Sequence, residues 1–168
     1  MIENPMRQVR IEKVTLNIGC GDDKQKIEKA QKLLEKLTES RPVITTSKRR
    51  STFGIVKGKP LGVKITLRKN KGEQFFNSVL KSVDNIVKES QIDKDGNISF
   101  GVKEYIDLPN VRYSPEIGML GMDVAITLER PGFHVKKRRV RKAIIGKRHK
   151  INKDDTINWL KQRGVTVE

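Results

Sequence analysis

Hydrophobic residues follow two periods along this chain, two and about 3.6. Val14, Leu16 and Ile18 alternate with Thr15 and Asn17, the mark of a half-buried strand that stops at Gly19 and Gly21. Asp22 or Asp23 then caps a helix in which Ile27, Ala30, Leu33, Leu34 and Leu37 recur at helical spacing. Arg41-Pro42 closes that region, because Pro disfavours helix in the residue before it. Val43 to Ser47 reads as a second strand. Leu61 to Arg68 reads as a third, with Val63, Ile65 and Leu67 on one side and Lys64, Thr66 and Arg68 on the other. Gly72-Glu73 opens a second helix whose apolar stripe runs through Phe75, Phe76, Val79, Leu80, Val83, Ile86 and Val87. A turn at Asp93 to Asn97 leads into a fourth strand that runs towards Tyr105, with Ile98, Phe100 and Val102 alternating with Ser99, Gly101 and Lys103. A Pro/Gly loop from Tyr113 to Gly118 precedes a fifth strand, Asp123 to Glu129, with Val124, Ile126 and Leu128 inward. Asp154 or Asp155 caps a last short helix, packed through Ile157, Trp159 and Leu160 and stopped at Gly164, and Val165 to Val167 reads as a terminal strand.

The order strand, helix, two strands, helix, two strands predicts an α+β fold: a mainly antiparallel sheet of about five strands with two main helices on one face. A core over 1–135 and a basic C-terminal extension over 136–168, ending in the short helix, form one structural unit. The N-terminal residues up to Arg10 are polar and read as an arm. The sheet face left open by the helices carries Thr15, Asn17, Lys64, Thr66, Arg68, Ser99, Lys103 and Thr127, and is expected to be almost free of carboxylates.

Charge sharpens this picture. The 168 residues hold 36 Lys and Arg against 20 Asp and Glu, a formal net charge of +16. Two acid-free stretches, 40–72 and 130–153, contain more than half of those cations, so the remainder of the chain is net negative. Such segregation fits a polyanionic partner, nucleic acid before membrane. No apolar run approaches the ~20 residues needed to span a bilayer, and both main helices intersperse Glu with Lys instead of showing a basic polar face. A lone Cys20 excludes an internal disulfide and any multi-cysteine metal site. The expected location is cytoplasmic.

Within the first basic stretch, the segment Lys48 to Pro60 is long for a hairpin loop, and its tip could stand roughly 20 Å beyond the sheet. Like charges at the end of such an arm repel and bury little, so binding explains them better than stability. The tract Lys136 to Lys150 has no usable period and is expected to be extended, or ordered only against a partner. Gly19-x-Gly21 lacks the third glycine and following Lys of a phosphate loop and is read as a strand-to-helix turn. His134 and His149 stand among cations with no nearby carboxylate in sequence, which argues against the alternative of an RNA-processing enzyme using one of them. Neither a metal site nor a cofactor is expected.

The motifs NPMR (Asn4 to Arg7), LNIG (Leu16 to Gly19), PVITTSKRR, FGIVKGKPLGVKITLR (Phe53 to Arg68), ISFGVKEYIDLP and YSPEIGMLGMDVAITLERPG occur in an order and with a length of match that is highly specific. On them the chain resembles the large-subunit ribosomal protein L-five family, in a form most like an archaeal member. That resemblance implies a non-catalytic constituent of the 50S subunit, anchored with large-subunit rRNA in the central protuberance. It implies 5S rRNA held on the sheet side, the long loop directed at P-site tRNA, and contact with a small-subunit head protein.

The expected 5S rRNA residues are Thr15, Asn17, Ser40, Arg41, Thr45, Ser47, Lys64, Thr66, Arg68 and Ser99; Asn17 and Thr66 match family positions that touch this RNA. Many relatives carry a TGQ-x-P motif where this chain has Thr38-Glu39-Ser40-Arg41-Pro42, so Arg41 is the candidate to compensate for Ser40. The expected tRNA-facing residues are Lys48, Arg49, Arg50, Ser51, Thr52, Phe53, Lys57 and Lys59. Lys136, Lys137, Arg138, Arg139, Arg141, Lys142, Lys147, Arg148 and Lys150 are assigned to other rRNA.

Overall fold

A computed structural model describes residues 4–52, 54–109 and 111–168. Its elements, in chain order, are β1 (Arg10–Gly19), α1 (Lys24–Thr38), β2 (Val43–Thr46), β3 (Pro60–Leu67), α2 (Lys69–Ser82), β4 (Ile86–Val87), β5 (Ile98–Val102), β6 (Met122–Glu129), α3 (His134–Lys137), α4 (Lys153–Gln162) and β7 (Thr166–Val167). Five strands form one antiparallel sheet in the order β2-β3-β1-β6-β5. The chain is α+β, as its pattern predicts.

The inward residues of this sheet, Val14, Leu16, Ile18, Val63, Ile65, Leu67, Ile98, Phe100, Val102, Val124, Ile126 and Leu128, are all buried. They meet Ile27, Ala30, Leu33 and Leu34 of α1 and Phe76, Val79 and Leu80 of α2 in a single core. Asp23 caps α1, its Oδ1 accepting from the amide of Gln25 at 2.9 Å. Gly72 lets the first turn of α2 settle on β3, since a Cβ there would stand 3.3 Å from the Leu67 carbonyl oxygen. The buried Phe76 ring packs 5.6 Å from that of Trp159, which seats α4 on the core.

Three elements depart from the periodic reading. Ile86 and Val87 do not extend α2. The left-handed Asp84 and Asn85 end the helix, the amide of Asn85 donating to the Leu80 carbonyl, and Ile86–Val87 instead pair in parallel with Thr166–Val167. The fourth strand of the main sheet ends at Val102 rather than running on to Tyr105, which lies in a 3-10 turn. The cap of α4 is Asn152, whose amide donates to Asp155, rather than either aspartate.

Candidate nucleic-acid interface

Strand register assembles the outer face of the sheet. Asn17 lies opposite Lys64 on one side and Asp123 on the other; Thr15 lies between Thr66 and Ala125. Val43 continues the first row across Lys64, Gly101 continues it across Asp123, and Ser99 continues the second across Ala125. Thr45 opposes Gly62, which opposes Gly19. The register thus brings Thr15, Asn17, Thr45, Lys64, Thr66 and Ser99 onto one surface. Gly19, Gly62, Gly101 and Ala125 keep its relief low, which leaves the hydroxyl, amide and ammonium donors open to close approach.

The surface is not free of carboxylates. Asp123 stands exposed beside Asn17, and Glu12 and Glu129 lie at the opposite end. A register shift between Ile11 and Lys13 makes Glu12 the extra residue of a β-bulge and turns Lys13 outward opposite Thr127. Cations neutralise both glutamates. Arg10 Nη2 lies 2.8 Å from Glu129, Arg68 Nη1 lies 3.4 Å from Glu12, and Lys137 Nζ reaches Glu12 at 2.7 Å and Glu129 at 3.1 Å. Burial pushes the Glu12 carboxyl up, but Lys137, Lys13 and Arg68 outweigh it and hold the group below its ordinary value. Burial likewise opposes the charge on Lys137, and its hydrogen bonds to Glu12 and Glu129 prevail and raise its pKa.

Arg68 is therefore partly committed to the protein, and Ser40 more so. The Ser40 hydroxyl donates to the Thr38 carbonyl and receives a bond from Lys71 in the first turn of α2, which places it at the helix layer and not with Asn17 and Thr66. Its neighbour Arg41 is exposed.

The segment between β2 and β3 is a closed hairpin arm. The Ser47 amide donates to the Lys59 carbonyl and the Gly58 amide to Ser47, both at 2.8 Å, and the Ser51 amide donates to Ile55. Lys48, Arg49, Arg50, Thr52 and Lys57 are exposed along it, while Ser51 is half-buried. Phe53, assigned to the same arm, lies outside the described residues. Lys59 is turned back to an ion pair with Asp22 before α1, so it braces the base of the arm.

The C-terminal tract is more ordered than its composition predicts. Leaving β6, it forms α3 and then returns so that the Ala143 amide donates to Val135. The return is closed at its neck, where Arg130 donates to the Lys150 carbonyl and pairs with Asp155 at 2.9 Å. The His149 ring lies 2.9 Å from the Pro131 carbonyl and packs edge-on against Phe133, which makes it a structural strut. Arg138 spends its Nε on the Arg141 carbonyl. Lys136, Arg139, Arg141, Lys142, Lys147, Arg148 and Lys150 remain exposed.

Lys13 was not among the residues expected in the interface. Two polar residues in succession between Ile11 and Val14, where alternation allows one, are the sequence sign of the bulge that turns it outward. Among the described residues no group of His, Cys, Asp and Glu is placed to hold a metal ion, and no helix is long and apolar enough to cross a membrane.

Fold and surface together define an α+β protein with a largely polar sheet face, a cationic hairpin and a cationic C-terminal loop. Residues 4–55 match the family described as ribosomal protein L5, and residues 60–159 match the ribosomal L5P family C-terminus. The large ribosomal subunit protein uL5 of Sulfurisphaera tokodaii is 52% identical over 98% of this chain and 94% of its own length. The proteins of the same name from Archaeoglobus fulgidus and Nanoarchaeum equitans are 44% and 43% identical, each over 99% of this chain and over 93% and 99% of their own lengths. The chain belongs to the ribosomal protein L5 family, whose members are structural proteins of the cytoplasmic ribosome and not enzymes. The alternative of an RNA-processing enzyme using His134 or His149 does not fit this family.

Proposed function

We propose that this protein is a structural constituent of the large ribosomal subunit that holds 5S rRNA on the outer face of its sheet. The observation that carries the reading is the cross-strand block of Thr15, Asn17, Lys64 and Thr66, donor groups on adjacent central strands with Ala125 beside Thr15 and the carboxylate of Asp123 beside Asn17. Such a block is rigid, because each strand in it is paired on both sides, and it offers donors of modest size to phosphates and 2′-hydroxyls. The hairpin from Ser47 to Lys59 stands apart from that block and supplies cations to a different RNA, the P-site tRNA. Arg139, Arg141, Lys142, Lys147 and Arg148 on the C-terminal loop meet large-subunit rRNA, and a protein of the small-subunit head is a further neighbour. Lys59 and Arg138 are left as supports, and Ser40 yields its contact to Arg41.

Binding of the full chain to 5S rRNA as a function of salt tests the reading. Affinity should fall log-linearly, with a slope close to the number of phosphates neutralised, and nuclease footprints should protect one continuous region of the RNA. Salt-insensitive binding, or equal affinity for an unrelated folded RNA of the same length, would overturn it.

A further inference from the structure

Between the C-terminal loop and the bulged end of the sheet lies a cleft of about 950 Å³. Its lining combines two chemistries. Phe133, Ala143 and Ile145 give it an apolar wall, Ile144 stands at its solvent edge, and Lys13, Lys136, Lys142 and Lys150 border it with ammonium groups. None of these four lysine side chains makes an ion pair or hydrogen bond among the described residues, whereas Lys137 beside them is committed to Glu12 and Glu129. Ile144 is 91% exposed, an aliphatic side chain left in solvent on an otherwise cationic loop.

We infer that this cleft receives a single unpaired RNA nucleotide, its base against the apolar wall and its flanking phosphates on the lysines. The inference rests on the reading of the C-terminal loop as an RNA-binding element. Phosphate contact alone accounts for the lysines but not for the wall: a duplex keeps its bases stacked inside and offers an apolar side chain nothing to cover. An extruded base is flat, largely apolar on its faces and flanked by phosphates, which matches the cleft in both parts. The volume suits such a ligand, since sites for small molecules run to roughly 300–1,000 Å³. Asp95 and Asn97 also line the cleft and offer acceptors for amino groups on a base edge. Lys13 and Thr127 belong both to the cleft and to the outer sheet face, so an RNA lying on that face can extend a nucleotide into it.

Three fluorescein-labelled RNA hairpins with one stem sequence separate the possibilities: fully paired, carrying one bulged nucleotide, and carrying an abasic residue at the bulge. Fluorescence anisotropy with the full chain should show the bulged hairpin binding at least tenfold tighter than the other two. The Ile144→Ser variant, altered where the side chain touches solvent, should lose that preference and keep its affinity for the paired hairpin within twofold. Equal binding of all three hairpins overturns the cleft assignment while leaving the loop an RNA-binding element. Equal binding of the bulged and abasic forms also overturns it, because backbone flexibility would then suffice. Failure of every hairpin to bind at low salt sinks both this inference and the reading of the loop.

Discussion

Lys137 Nζ lies 2.7 Å from Glu12 Oε1, joining α3 of the basic C-terminal tract to the bulge in β1. The partners are 125 positions apart in the sequence and meet because β6 delivers the tract beside β1. The Glu12 side chain is only 9% exposed. The contact thus fastens a segment of like charges to the sheet by giving one lysine a carboxylate partner it lacks locally. Lys137→Ala should lower stability by about 1 kcal/mol, the upper end for a partly exposed pair. Urea unfolding would read this, together with faster exchange of the Ala143 amide, which closes the loop on Val135.

The pH dependence of that fastening has a definite sign. Glu12 has a lowered folded pKa, so its contribution is complete above its ordinary value of 4.5 and is lost as pH falls through the lower folded value. Lys137 has a raised folded pKa, so its contribution is complete below 10.5 and is lost as pH rises through the higher folded value. Between those limits the contribution of this ion pair is constant. Amide exchange at Ala143, corrected for intrinsic rates, should accelerate below pH 4.5, and Glu12→Gln should remove the acid limb.

Gly96 connects the Asp93–Asn97 turn to the C-terminal segment. Its φ is +74°, and a Cβ there would lie 2.5 Å from Ile151 Cγ2 and 2.7 Å from Thr156 Oγ1. The buried Thr156 hydroxyl also donates to the Gly96 carbonyl at 3.0 Å. Gly96→Ala therefore combines backbone strain with a clash against buried atoms and should cost about 2–3 kcal/mol. Trp159, the chain's one tryptophan, reports on α4, so its fluorescence should shift at lower urea in this variant.

How much of this was legible in the sequence follows from where each residue finds its partner. Asp23 caps its own helix and Val14, Leu16 and Ile18 alternate within one strand, so local period suffices for them. The end of α2 is hidden from local pattern because Val83, Ile86 and Val87 prolong its apolar stripe; the partner that makes Ile86–Val87 a strand is Thr166–Val167, far along the chain. The tract Lys136 to Lys150 shows no period of its own because its supports, Glu12 and Asp155, lie outside it. Thr15, Asn17 and Thr66 could be placed on one face from alternation alone. Ser40 could not be excluded from it, because its bond to Lys71 depends on how α2 meets the turn after α1.

Gly62 tests the close pairing under the outer face. A Cβ at this position would come within 2.5 Å of the Ile18 carbonyl oxygen and 3.3 Å of Thr45 Oγ1, so β3 would have to shift against a strand on either side. Gly62→Ala should lose about 1–3 kcal/mol. Gly19, its cross-strand neighbour, has open space around the same direction, and Gly19→Ala serves as the control with a much smaller loss. Paired urea midpoints of the two variants would measure the difference.

The first basic stretch holds two surfaces, and their separation is the prediction with most bearing on function. Lys64 and Thr66 lie in the sheet register, whereas Arg49 and Arg50 lie on the hairpin arm beyond the Ser47–Lys59 closure. Asn17→Ala and Thr66→Ala should each weaken 5S rRNA binding by several-fold, and Lys64→Ala should also reduce the log–log salt slope by about one. Arg49→Glu with Arg50→Glu should leave 5S affinity within twofold while impairing tRNA contact in assembled ribosomes. All five positions are exposed, so thermal unfolding should stay near that of the parent chain and separate a binding defect from a folding one. Equal loss of 5S affinity from the sheet and arm variants would mean that the acid-free stretch acts as one patch, and the division between its rigid face and its projecting arm would fall.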